Sequence, residues 1–316
     1  MGVSTLEVSG TCSATTKGLK SLQAEIVFLK PHHHNPSYLS KVSLLHHISI
    51  GMDSRRPWFD RTALNGKYDH GSIITTENGA KWKVLERLEQ DHFQADLKSA
   101  TYQLSYATLK LRCVRILGEQ HDTSESYMRV YMQIPRLGTE NEDPVFRSAQ
   151  ANWKFRPAEL DAYTDLSWEP TVTKFTPELL GQRSSTQDRS GFVPGGFIVI
   201  IVFQKVPGLP LRDKMGNTAA FWSLPRRDRS KIRNAFERTF KEMSSTVGIW
   251  PEPTAGYHLV WHAETETLFW VGFRKYSREK GKKWTKAWLP CWDLVKTPNN
   301  SWAQLDWDGD TTGWQY

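Results

Sequence analysis

The amino-acid sequence predicts an α+β fold, with a β-rich part over residues 98–205 and a mainly helical part over residues 206–316. Three observations point that way. Between residues 101 and 117, Tyr102, Leu104 and Tyr106, then Leu109, Leu111 and Cys113, alternate with period two, as a half-buried strand requires. Phe197-Ile-Val-Ile-Ile-Val-Phe203 is an unbroken apolar run of strand length, far too short to span a bilayer. After Ser223 and Pro225, the residues Ile232, Ala235, Phe236, Phe240 and Met243 recur on one face of a helix.

The elements follow in chain order. Residues 1–97 read as an N-terminal extension, partly flexible, with a Ser/Thr/Gly-rich start. A short strand is expected at 24–29, ended by Pro31. His32, His33 and His34 follow in a turn bounded by Pro and Asn. Neighbours in sequence rarely converge on one ion, and His46 and His47 add no acidic or Cys partner at suitable spacing, so no metal site is expected. A strand at 127–134 ends at Pro135, and Pro157 opens a helix over 157–166. Pro177 to Leu180 leads into a Gly/Ser-rich connector at 181–191. The Gly195-Gly196 turn then precedes the apolar strand, and Val206-Pro-Gly-Leu-Pro210 ends it. The other face of the long helix carries Arg226, Arg227, Arg229, Arg233, Glu237 and Lys241, a solvated surface. Residues 258–261 and 267–273 read as a hairpin. The last twenty residues read as a tail, whose Asp306, Asp308 and Asp310 lack the distal Glu and flanking helices of a calcium loop.

At 316 residues the chain can bury a sizeable core, as one large domain or as two parts sharing a cleft. Cys12, Cys113 and Cys291 lie far apart and are odd in number, which argues against a disulfide framework and a Cys-based zinc site. The first 25 residues lack the basic start and apolar run of a signal peptide, so a cytoplasmic protein with no membrane partner is expected. No motif calls for a cofactor.

The net charge of +7 is unevenly placed. Residues 274–286 hold Arg274, Lys275, Arg278, Lys280, Lys282, Lys283 and Lys286 against Glu279 alone. Such a stretch is either a solvated loop or a surface for a phosphate-bearing partner, RNA included. Nine of the fourteen Trp follow residue 249, among them Trp284 and Trp288 beside this loop. Each either fills core volume or stacks on a flat ligand or base.

Strand, Glu-bearing helix, buried strand, Pro/Gly connector, long helix and tight hairpin is an order that resembles a protein-kinase-like domain. The wording is similar to fungal kinase-like proteins related to small-molecule phosphotransferases. The matching segments are Pro177-Glu-Leu-Leu-Gly181, Val193-Pro-Gly-Gly-Phe-Ile-Val199, Phe221-Trp-Ser-Leu-Pro225, His258-Leu-Val-Trp261 and Trp270-Val-Gly-Phe273, within roughly residues 98 to 290. The resemblance implies a bilobal fold with a β-rich N-lobe and a mainly helical C-lobe. Phosphoryl transfer there needs a cation on the nucleotide phosphates, carboxylates for Mg²⁺ and a carboxylate to take the hydroxyl proton.

Set against that pattern, Gln133 stands where the strand lysine is expected. The helix Glu falls on Glu159, which is then without its cation, with Lys154 as a substitute. The metal-binding Asn becomes His258 and the metal Asp becomes Gly272, while the catalytic Asp falls on Pro253, or on Glu252 with one insertion. The resemblance therefore implies a degenerate member: a pseudokinase that binds a ligand or partner without Mg-ATP phosphotransfer. The alternative is a natural-product enzyme with other chemistry in the same cleft. It would use Glu252, Tyr257, His258 and Glu159 as acid–base groups. An aminoacyl-tRNA would be its substrate, as in the arginine-containing cyclodipeptide synthases, held on the basic loop and Trp284.

Overall fold

A computed structural model describes residues 57–61, 64, 66–96, 103–118, 120–213, 218–252 and 258–316. The strand expected at 24–29, the five histidines of the first fifty residues, Cys12 and Tyr257 lie outside the described residues.

Six strands form the main sheet: β1 (Ile73–Thr75), β2 (Lys81–Phe93), β3 (Tyr106–Leu117), β4 (Gln120–Gln133), β5 (Leu179–Thr186) and β6 (Phe197–Gln204). Their spatial order is β1-β2-β3-β4-β6-β5, and every pairing is antiparallel. The apolar run owes its continuity to burial of both faces of β6. Ile198, Ile200 and Val202 pack on one side with Trp82, Leu109, Leu111 and Val130. Phe197, Val199 and Ile201 pack on the other with Tyr131 and Leu160. With both faces covered, the usual alternation of an antiparallel strand disappears. Burial of each such side chain contributes about 1.5–3 kcal/mol, so Ile201→Ala, at a fully buried site, is expected to cost about 2–5 kcal/mol.

Two sequence expectations are corrected here. The boundary at residue 97 does not hold, because β2 pairs with β3 from Lys81 to Phe93 and so belongs to the sheet. The connector at 181–191 is largely a strand. β5 forms the sheet edge beyond β6, and Gly181 lets it approach Thr76, whose Oγ1 would lie 2.9 Å from any Cβ there.

Six helices are described: α1 (Pro144–Ser148), α2 (Ala158–Ser167), α3 (Pro170–Thr173), α4 (Ala219–Trp222), α5 (Arg226–Thr246) and α6 (Trp288–Cys291). α2 starts directly after Pro157 and buries Glu159, Leu160, Ala162, Tyr163 and Leu166. α5 buries the predicted stripe against Trp250, Trp261, Trp270, Phe273 and Trp292. The indoles find partners: Trp270 Nε1 donates to Thr239 Oγ1 at 2.8 Å and Trp250 Nε1 to the Glu279 carbonyl at 2.9 Å. Those Trp are core. Arg233, expected on the solvated face, is buried instead, donating to the Leu294 carbonyl at 3.1 Å.

Short strands complete the helical part. β7 (Leu209–Pro210), β9 (Leu259–His262) and β10 (Thr267–Trp270) form one small sheet in the order β10-β9-β7. β8 (Ile249–Pro251) pairs with β11 (Tyr276–Arg278). The chain end folds back on itself, with Lys296 bridging Gln315 and Trp307 stacked on Trp314 at 5.5 Å. Among the described residues no helix is long and apolar enough to cross a membrane.

Candidate functional site

A cleft of about 1160 Å³ is lined by residues of β2, β3, β4 and α2 and by Pro210 of β7, Val260 of β9 and the segments 204–208 and 271–275. Its aromatic wall comes from the sheet, α2 and the segment before α2: Tyr106, Tyr127, Tyr131, Phe155, Tyr163 and Phe203 all line it. The rings support one another. Phe155 stacks on Tyr106 at 6.0 Å, and Tyr163 stacks on Phe203 at 5.0 Å while standing edge-on to Phe273 at 5.7 Å.

At the sheet end, strand periodicity sends Tyr127, Arg129 and Tyr131 to the cleft face of β4, while Met128, Val130 and Met132 enter the core behind it. Arg129 Nε lies 2.9 Å from Glu159 Oε2, and the Tyr131 hydroxyl donates to the same oxygen at 2.8 Å. The two charged side chains are only 8% and 1% exposed. Burial is the largest single influence and works against the Arg129 charge, but Glu159, Tyr131, Tyr163 and Glu89 together outweigh it and keep the guanidinium above its ordinary value. Burial, and then the same carboxylate, push the Tyr131 hydroxyl well above its usual range.

At the other end, His258 precedes β9 and Gly272 follows β10. His258 Nδ1 lies 2.9 Å from the Val271 carbonyl. A Cβ added at Gly272 would sit 2.0 Å from that same Nδ1, and φ at Gly272 is +81°. The imidazole thus occupies the volume that a side chain at 272 would need. Burial pulls the His258 pKa below its ordinary value; the hydrogen bond to Val271 opposes this, and Arg212 adds to it. Arg212 itself is fixed by an ion pair with Asp293.

A divalent cation of the kind used in phosphoryl transfer would find no carboxylate at the His258–Gly272 contact itself. Mg²⁺ takes oxygen ligands, chiefly carboxylates. Gly272 offers no donor atom, and an Asp in its place would collide with the imidazole.

Of the residues singled out from the sequence, the cleft brings together Glu159, Glu252, His258, Gly272, Arg274 and Lys275. The Glu252 amide donates to the Lys275 carbonyl at 3.2 Å, joining the two backbones. Others are elsewhere. Gln133 does not line the cleft: it is buried at the end of β4, where Nε2 donates to the Gln150 carbonyl at 2.6 Å and Oε1 accepts from the Asn152 amide at 2.8 Å. Glu159 is not without a cation, because Arg129 supplies it. Lys154 is exposed, with Nζ 4.9 Å from the Trp153 ring centroid, and cannot substitute.

The basic stretch is divided. Arg274 pairs with Asp91 at 3.3 Å and Arg278 with Asp165. Lys282 pairs with Glu279 at 2.9 Å while its Nζ lies over the Trp250 and Trp288 rings. Trp284 is half-buried and packs edge-on against Phe236 and Phe240. Lys280, Lys283 and Lys286 are exposed.

Sequence reasoning missed Arg129, Tyr131, Tyr163 and Arg212. A signal for Arg129 existed: it is the one basic residue between Tyr127 and Gln133, in a stretch otherwise fit for burial.

No protein-family model matches the chain, and no curated protein does. Among solved structures the chain is similar to vaccinia related kinase 3, at 11% identity and a TM-score of 0.30, covering 75% of this chain and 57% of that one. It is also similar to the Cydia pomonella granulovirus kinase PK-1, at 10% identity and a TM-score of 0.30, covering 62% of this chain and 55% of that one. The matched region spans little more than half the length of either kinase. Likenesses this weak carry no argument about activity.

Proposed function

We propose that this chain is a pseudoenzyme of protein-kinase-like, two-lobed build, whose cleft holds a ligand without metal-dependent phosphoryl transfer. The element order supports the kinase-like reading. β4 carries a buried cation, α2 carries the carboxylate that meets it, and a long helix is followed by a short strand, a loop and a tight hairpin. In kinases the ion pair between strand lysine and helix glutamate places the nucleotide phosphates, and metal is held by an Asp and an Asn at the hairpin. Arg129 and Glu159 fit the first arrangement. His258 and Gly272 stand at the second.

One observation carries the reading: the 2.0 Å clash that any side chain at 272 would make with His258 Nδ1. The two replacements are one steric unit, so the site cannot return to metal binding through either residue alone. The test is thermal stabilisation of the full chain by ATP with and without Mg²⁺, since a ligand that binds only the folded state raises stability by mass action. The wild-type chain is expected to show no Mg-dependent increment and to release no phosphate. Gly272→Asp paired with His258→Asn, which restores both ligands and relieves the clash, is expected to gain a Mg-dependent increment. A Mg-dependent increment in the wild type would overturn the reading.

A second reading, an enzyme acting on aminoacyl-tRNA, draws support from the exposure of Lys280, Lys283 and Lys286. It requires that RNA retained on a low-salt column be released when all three become Glu, because phosphate contacts dominate such binding. Unchanged retention removes it.

A further inference from the structure

Most cations of the cleft are already engaged within the protein; among the described residues Lys275, exposed on the lining, is the exception. Arg129 is held by Glu159, Arg274 by Asp91, Arg212 by Asp293 and Lys205 by Glu125. Lys110 stands 4.1 Å over the Tyr127 ring. A nucleoside triphosphate brings roughly four negative charges, which a kinase offsets with metal ions and free cations. Here the metal site is closed, and the phosphates would have to break several of these pairs. What the cleft does present is surface for rings: Tyr106, Tyr127 and Phe155 are partly exposed, the buried Tyr131, Tyr163 and Phe203 also belong to the lining, and Val206, Val260 and Val271 add apolar surface. Its volume of about 1160 Å³ exceeds the roughly 300–1,000 Å³ typical of small-molecule pockets, so a multi-ring ligand can be enclosed.

We infer that the cleft binds an uncharged, flat ring system, including a nucleoside without phosphates, and does so without a divalent cation. This rests on the pseudoenzyme reading above and narrows it to a ligand class. Stacking on the partly exposed rings of Tyr106, Tyr127 and Phe155 supplies the affinity.

The experiment is calorimetric titration of the full chain with adenosine, with a neutral three-ring flavone, and with ATP in the presence and absence of Mg²⁺. At least one neutral probe is expected to bind about tenfold or more tightly than ATP, with no effect of Mg²⁺. Tyr106→Ala, which removes a ring from the wall, is expected to weaken that probe about tenfold, within the range seen when a stacked aromatic is deleted. Ala219→Trp, at an exposed position on the cleft rim, is expected to obstruct it without loss of fold. Tighter binding of ATP than of both neutral probes overturns the ligand class while leaving a ligand-binding cleft. Binding of none of the probes overturns the cleft reading itself. Neutral-probe affinity unchanged in both variants places the ligand elsewhere and also overturns the inference.

Discussion

At the sheet end of the cleft, Arg129 and Glu159 keep two full charges almost wholly out of water; at the hairpin end, His258 is equally buried but its environment disfavours charge. The difference lies in partners. Arg129 faces a carboxylate on the adjoining helix, which offsets the cost of removing a guanidinium from water. His258 faces a backbone carbonyl and lies near another cation, Arg212, so only the neutral imidazole is stabilised. One end of the cleft is thus an ion pair and the other a packing contact.

The largest effect is expected where a charge would be left alone. Glu159→Leu strips Arg129 of its carboxylate in a site where it is 8% exposed, and breaking such a buried pair costs about 3–5 kcal/mol. Urea denaturation midpoints measure this. Arg129→Met combined with Glu159→Leu should recover most of the loss, since neither charge then remains buried. If the single and double variants were equally unstable, the pair would be packing volume and the contrast between the two ends would fail.

At the hairpin end the effect is steric and smaller. Gly272→Ala forces an L side chain into φ +81°, for which about 1–3 kcal/mol is usual, and drives a methyl into the imidazole. The contact part should disappear when His258→Ala is added, leaving only the backbone part. A double-mutant cycle isolates the coupling between the two positions, and a cycle with no coupling would dismiss the steric unit.

How much of this was legible in the sequence depends on what each segment must do twice over. β6 and α5 were legible because burial forces an apolar pattern onto them. β2 was not, because register shifts between Val84 and Glu86 and between Arg87 and Glu89 break its alternation. β5 was not, because an edge strand half open to water can be built from Gly181, Ser184 and Ser185 and so resembles a linker. In the site, Glu159, His258 and Gly272 were found through the resemblance. Arg129 was missed because Gln133, on the same face of β4, sits where counting along the strand placed the cation. Only the cross-strand and helix packing shows which of the two reaches Glu159.

The smallest expected effect is also the one that separates the two ends most cleanly. The His258 pKa is lower in the folded chain than its ordinary value of 6.5, so the unfolded chain takes up a proton first as pH falls. Stability from this residue is therefore complete above pH 6.5 and is lost as pH falls from 6.5 through the folded value. Arg129 keeps its proton throughout that range, because its pKa is raised, and contributes no slope there. Carboxylates also lose their native partners in acid, but they do so alike in the wild type and in His258→Gln. The denaturation midpoint of the wild type should thus fall further between pH 7.5 and pH 5 than that of the variant. Parallel pH profiles would mean that folding leaves His258 unshifted, and a wild type that fell less than the variant would mean that His258 is charged and paired in the fold, an ionic site like its counterpart.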